Sequence, residues 1–323
     1  MQHFSSFLFG LASLVALTRV EVTHGLEHDD DFPCNVVLGY VSKDEIQLVV
    51  ETAVGFALAP VVNVTDDDRV SALQGFLPLL QYDLVVSRVC GSCVEFLEEG
   101  VMDPTAAAPY CGPDVYASNA TYSALVMHPL MNDDDMDGTP IPLPGIRPVH
   151  FTLQATRLSA LGEAPSEHWP TNVTERLEQN VAESSVSGSL FNFSTSFSDT
   201  MPLMLAASAG MVAISPDPLG TGANRDDYDR SFLTALPQQQ AALVSYYAAQ
   251  RYTDAVTTGC TALADDITVH GYSAGGFNSI VLAPALVAQG LNVVRVFSQA
   301  GTYNIAVTAQ SVMGEFLYLY FVL

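Results

Sequence analysis

Basic residues are scarce in this chain. Eleven Lys and Arg stand against 35 Asp and Glu in 323 residues, a formal net charge of −24. Such a surface repels phosphate backbones and anionic lipid headgroups, so nucleic acid is not an expected partner. Long apolar runs are also missing. The run nearest the N-terminus, Phe7 to Leu17, falls well short of the roughly 20 residues that cross a bilayer. No integral membrane span is expected once that segment is removed. Scarcity of charge does not mean scarcity of core. Hydrophobic residues make up 49% and charged residues 14%, which is the balance of a globular chain rather than a disordered one.

Residues 1–25 read as a secretory signal: an apolar stretch of the right length close to the N-terminus, with cleavage after Thr18 or after Gly25. Secretion agrees with four N-x-[ST] sequons, at Asn63, Asn119, Asn172 and Asn192, which are candidate glycosylation sites. Asn119 falls in a stretch that reads as a strand. Five cysteines are present: Cys34, Cys90, Cys93, Cys111 and Cys260. In a secreted chain one or two disulfides are expected, with one thiol left over. Cys90 and Cys93 form a C-x-x-C, but no βαβ pattern surrounds them and no second pair completes a zinc ribbon. A structural bridge is the expectation there.

Two stretches follow the signal, an α+β portion over 26–145 and an α/β core over 146–323. Ser42 and Glu45 make a capping box, which opens a helix to about Leu58 with Ile46, Val49, Val50, Val54 and Leu58 on one face. A second helix is expected near Val70 to Leu80, after the acidic start Asp66-Asp67-Asp68. Strands are expected over Asp83–Val89, Val115–His128 and Arg147–Thr156. Between the last two, Asp133, Asp135, Asp137 and Gly138 have the spacing of half an EF-hand loop. Pro144 occupies the place of the bidentate Glu, and Pro140 and Pro142 forbid the helix that should follow. An acidic hairpin is the better reading, and no metal is expected. Residues 159–200 are polar and read as a surface excursion. Beyond them come a helix over Met201–Gly210, a strand over Met211–Ser215, a long helix over Phe232–Tyr252 and a strand over Leu291–Phe297. This alternation means a parallel sheet with right-handed crossovers.

Gly271-Tyr272-Ser273-Ala274-Gly275 is a G-x-S-x-G motif. The β-branched run Asp266–His270 precedes it and reads as a strand; the run from Gly276 to Ala283 reads as a helix. A strand, a sharp turn and a helix lift a serine hydroxyl out of the sheet, which is what nucleophilic attack requires. Small residues are needed on both sides because two backbones approach closely there.

From Gly210 to about Ile305 the chain resembles the secreted lipase and esterase branch of the α/β-hydrolases. Three features carry the resemblance. A strand ends in Pro216-Asp217, with Gly220 and Gly222 just before a long helix. The elbow follows some fifty residues later. The strand Val294 onward runs into Gln299-Ala300-Gly301-Thr302-Tyr303. The resemblance implies a mostly parallel sheet with helices on both faces, incomplete at its C-terminal end. It also implies a serine hydrolase acting on small-molecule or lipid esters without metal or organic cofactor. Ser273 would be the nucleophile. The backbone N–H of Ala274 would hold the oxyanion together with a second donor near Ala155 or Thr156, where relatives carry His-Gly.

The family's acid and His follow the serine in the chain. After Ser273 there is no His and no Asp, and the only acid is Glu315. Asp217 precedes the serine and reads as a turn residue. His270 sits three residues upstream on the strand and reads as a core or sheet-edge histidine. Nothing in the pattern singles out His150 or His168. The apolar end Phe316–Leu323 reads as the interior of a longer chain; the alternative is a complete, non-catalytic binding protein of the same fold. A serine peptidase is the second enzymatic alternative.

Overall fold

The computed structural model describes residues 34–58, 65–131, 141–153, 201–229, 231 and 233–304. The signal region, Asn63, Asn172, Asn192, the residues 154–156, His168 and Glu315 lie outside them.

Strand β1 (Val36–Val41) leads into helix α1 (Lys43–Leu58). The Ser42 N–H donates to Glu45 Oε2 at 2.7 Å and the Glu45 N–H donates to Ser42 Oγ at 3.3 Å, so the expected capping box is present. Ile46, Val49, Val50 and Val54 are buried on the core side. Helix α2 (Asp66–Gln74) starts earlier than expected because Thr65 caps it reciprocally with Asp68. It stops at Gly75, and Pro78 sits in a short 3-10 turn, Leu77–Leu79.

β2 (Leu84–Ser92) runs directly into α3 (Cys93–Glu98), where Ser92 and Glu95 form another capping box. α4 (Pro104–Cys111) is capped by Asp103. β3 covers Thr121–Met131 rather than starting at Val115. Residues 112–119 are turns, and Ala117 has φ 60°, which a strand residue does not adopt. Asn119 therefore stands in a turn, not in a strand. The acidic stretch before β4 (Ile141–Pro142) is outside the described residues. Pro142 lies in that strand, and β5 (Gly145–Leu153) begins soon after, so no helix of EF-hand type follows. A helix over 201–208, here α5, precedes β6 (Val212–Pro216). α6 (Ala235–Thr257), β7 (Thr261–Tyr272), α7 (Ala274–Ala288) and β8 (Asn292–Gln299) complete the described chain.

One sheet holds these strands in the order β1-β2-β3-β6-β5-β7-β8, with β4 paired to β3. β5 lies parallel to both β6 and β7, and β7 lies parallel to β8. β3 is antiparallel to β2 and to β6, and β1 is antiparallel to β2. Thus β2, β5, β6, β7 and β8 point one way and β1 and β3 the other: a mixed, mostly parallel sheet.

Helices cover both faces, as expected. On one face α3, α4, α6 and α7 pack a core that includes Phe96, Tyr122, Phe151, Leu243, Ile267 and Leu282. On the other, α1 and α5 bury Ile46, Leu84, Met127, Leu203 and Met204. β3 alternates its side chains between these two cores and is buried from Tyr122 to Leu130, as a central strand covered twice should be.

Disulfides join Cys34 to Cys90 and Cys93 to Cys111, and Cys260 is the free, exposed thiol. The C-x-x-C cysteines thus form separate structural bridges. Cys34–Cys90 closes a sequence separation of 56 residues and Cys93–Cys111 one of 18. Cross-links restrict the unfolded chain more when the loop is longer, so losing the first should cost about 4 kcal/mol and the second about 3 kcal/mol. Urea unfolding of Cys34→Ala/Cys90→Ala and Cys93→Ala/Cys111→Ala proteins tests this; unchanged stability in the first would refute it.

Candidate functional site

β5 sends the chain to β6 on one side, while β7 sends it to β8 on the other. Two neighbouring parallel strands whose connections leave in opposite directions open a crevice at their C-terminal ends. Open α/β sheets bind ligands there. Ser273 follows β7 at that edge. The segment that follows Leu153 at the end of β5, including the candidate donors Ala155 and Thr156, lies outside the described residues.

Ser273 has φ 57° and ψ −121°, far from the basins an L-residue favours. Strain of this kind persists only where surroundings over-determine it, and it clusters at functional sites. Here the surroundings are specific. The Ser273 N–H donates to the Gln299 carbonyl at 3.0 Å, and the Gly276 N–H donates to the Ser273 carbonyl at 2.9 Å. A Cβ on Gly271 would overlap the carbonyl of Gly275. One on Gly276 would lie 2.5 Å from the Gln299 oxygen and 2.9 Å from Gly301. Strand and helix therefore touch backbone to backbone. Ser298 reinforces the joint: its Oγ donates to the Gly276 carbonyl at 2.5 Å and lies 2.8 Å from the Tyr303 hydroxyl.

Ala274 is the first residue of α7. A first-turn N–H has no partner inside its helix, and the helix dipole adds partial positive charge. That makes it suited to a developing oxyanion beside Ser273.

The loop after β6 lies at the same edge. Ser123 Oγ donates to Asp217 Oδ2 at 2.5 Å, and the Asp217 N–H donates to the Ser123 carbonyl at 2.9 Å. Asp217 thus locks the loop to the start of β3, in keeping with its reading as a turn residue. Gly222 has φ 60°, and a Cβ there would overlap Ser123 Oγ and Asp217 Oδ2. Asn224 closes the turn, accepting from the Gly220 N–H at 2.7 Å and donating to the Thr121 carbonyl at 2.7 Å. Buried Arg88 feels the Asp217 carboxylate; desolvation lowers its pKa, and the charge of Asp217 works against that. Sequence reasoning found Asp217 and Gly222 but missed Ser123, whose role depends on β3 running antiparallel beside β6.

His270 and His150 stack on neighbouring strands, with ring centroids 6.3 Å apart. Burial holds His270 below its usual pKa; burial and the neighbouring ring bring His150 down to about 4. His270 points from a strand position three residues, about 10 Å, before Ser273. Neither histidine hydrogen-bonds Ser273. Among the described residues no cluster of His, Cys, Asp or Glu could hold a metal, and no helix is long and apolar enough to cross a membrane.

His128 is buried in the core with Nε2 3.2 Å from Thr253 Oγ1, and desolvation lowers its pKa to about 4. Unfolded, it titrates near 6.5, so the unfolded chain binds the proton first as pH falls. Its contribution to stability is complete above about pH 6.5 and is lost down to about pH 4, about 3 kcal/mol in all. His128→Gln should flatten the stability-against-pH curve over that window in urea titrations. An unchanged slope would count against a neutral buried imidazole.

No family model matches the chain, and no curated protein matches it. Solved structures do. A Legionella pneumophila protein thought to be a hydrolase aligns at TM-score 0.47 and 17% identity, over 83% of this chain and 52% of its own. The rice cell-wall-degrading esterase LipA of Xanthomonas oryzae aligns at TM-score 0.45 and 15% identity, over 83% of this chain and 49% of its own. Brefeldin A esterase, a bacterial protein, aligns at TM-score 0.33 and 12% identity, over 91% and 56%. The chain spans about half the length of these structures.

Proposed function

We propose that this chain is an α/β-hydrolase, a secreted carboxylic-ester hydrolase of lipase or esterase type whose nucleophile is Ser273. The observation that carries the reading is the serine's positive φ at a strand-to-helix joint where Gly271 and Gly276 admit no side chain. Such a joint costs stability and serves to expose one hydroxyl.

In this reading Ser273 Oγ attacks the acyl carbon and gives its proton to a histidine oriented by an acid; the sequence from Ser273 to Leu323 contains neither a His nor an Asp. The Ala274 N–H and a donor near Ala155 or Thr156 hold the oxyanion. Collapse expels the alcohol, which takes up the proton, and water then releases the acid from the acyl-serine. No cofactor enters the scheme. Secretion is supported by the apolar N-terminal stretch and by the two disulfides, which persist in oxidising compartments.

One observation favours a second reading, a binding protein that keeps the fold without the chemistry: Ser273 has no histidine partner among the described residues. A fluorophosphonate probe separates the two. Covalent capture at Ser273, absent from Ser273→Ala, supports the hydrolase. An unreactive serine in a folded protein supports the binding reading.

A further inference from the structure

We propose that Asn119 carries an N-linked glycan whose first sugar rests on the ring of Tyr116. The inference depends on the secretory part of the proposed function and not on its chemistry.

Asn119-Ala120-Thr121 is a sequon, and the fold presents it in the manner a glycan needs. Asn119 and Thr121 are exposed, one in the last turn before β3 and the other at its first position. Ala120 between them is 2% exposed, so the tripeptide is pinned by its centre with its two functional side chains facing water. The turn is fixed by bonds from the Ser118 N–H to the Val115 carbonyl at 3.2 Å and from the Ala120 N–H to the Ala117 carbonyl at 3.1 Å.

The Asn119 amide is oriented as well. Its Oδ1 accepts from the Tyr228 hydroxyl at 3.1 Å, while Nδ2 has no hydrogen-bond partner among the described residues. Nδ2 is the atom that bears the sugar, and Oδ1 keeps its bond after modification. Beside it stands an aromatic pair. Tyr116 is 65% exposed and meets Tyr228 edge to face at 6.2 Å and 89°. The Tyr116 carbonyl accepts from Gln240 Nε2 at 2.9 Å, which anchors that platform to α6. The C–H face of a pyranose is apolar and stacks on an aromatic face, and a tyrosine offers that area with little entropy to lose.

The transfer joins Asn119 Nδ2 to the anomeric carbon of an oligosaccharide carried on a polyprenyl diphosphate. The bond from that carbon to the phosphate oxygen breaks, the lipid diphosphate leaves with its electron pair, and Nδ2 gives one proton to the host transferase. Transfer meets the chain before or during folding, and the exposed turn accommodates the product afterwards.

The test is expression of the full chain with its own N-terminus in secreting eukaryotic cells. Medium and cell fractions are mapped by mass spectrometry after peptide N-glycosidase treatment in heavy-oxygen water. The expected result is most secreted molecules modified at Asn119, with that signal lost in Asn119→Gln and Thr121→Ala. The glycan should raise Tm by a few degrees in the native protein and leave it unmoved in Tyr116→Ala. Secreted protein modified at another sequon but bare at Asn119 overturns this proposal alone. Protein retained in the cell without any glycan overturns secretion and the proposal together. A Tm difference that survives Tyr116→Ala overturns the stacking contact.

Discussion

Ser273→Ala is expected to lower kcat for an activated ester such as p-nitrophenyl butyrate by about 10⁶-fold in the whole, active protein. The size follows from how a serine hydroxyl works. Nucleophile, base and acid act as a unit, so removing the nucleophile removes nearly everything the three supply. What survives is the share due to oxyanion binding and substrate positioning, about 10³–10⁴ over water. KM should change little, because the hydroxyl is a small part of the binding surface. Ala at this position has no trouble with volume, and the positive φ is as costly for it as for Ser, so stability should stay close to that of the parent. A variant that folds and retains more than a hundredth of the parental kcat would sink the serine mechanism and leave the crevice as a binding site.

Gly271→Ala is expected to have the second largest effect, and on a different quantity. The added methyl has no room, because it would overlap the Gly275 carbonyl, and that atom belongs to the first turn of α7 rather than to a flexible side chain. No rotamer relieves such a contact. Strand and helix must separate, which strains the bonds that Gln299 and Ser298 make to the elbow. Overpacking in rigid interiors costs about 1–3 kcal/mol, and a backbone-on-backbone overlap belongs at or above the top of that range. Urea unfolding should report a loss of about 3 kcal/mol or more. Reactivity of Ser273 toward a fluorophosphonate should fall together with it. A stable Gly271→Ala protein with unaltered labelling would mean that the elbow is looser than its geometry implies.

Much of this arrangement is legible in the sequence, for reasons that differ from one element to the next. The elbow is legible because close approach of two backbones allows only small residues, so the constraint is written locally at Gly271, Gly275 and Gly276. The N-terminus of α1 is legible because a capping box is a contact between residues three apart. The start of β3 is not: Val115 and Tyr116 have strand-like side chains, yet Ala117 turns left-handed and the bonds of that turn decide the backbone. The far end of β7 is not legible either. Thr261 to Asp265 carries charge and alternating exposure, and only pairing with β5 at Gly145–Arg147 makes it a strand. Disulfide pairing is invisible for the same reason, since Cys34 meets Cys90 through the β1–β2 ladder. The locked pair Ser123–Asp217 spans 94 positions and follows from sheet order alone. Ser273 and Gly222 each betray themselves by their small neighbours; the residues that hold them in place do not.

The bond from the Ser273 N–H to the Gln299 carbonyl has a kinetic meaning. Most turns at the rim of a sheet open often, and their amide protons exchange with solvent water long before those of the core. This turn cannot open unless the end of β8 comes away with it. Its amide should keep its proton on the timescale of the β7–β8 ladder rather than on that of the loops. A reactive hydroxyl would then project into solvent from one of the slowest-exchanging backbone positions on that rim, with chemical access at the side chain and persistence at the main chain a few bonds away.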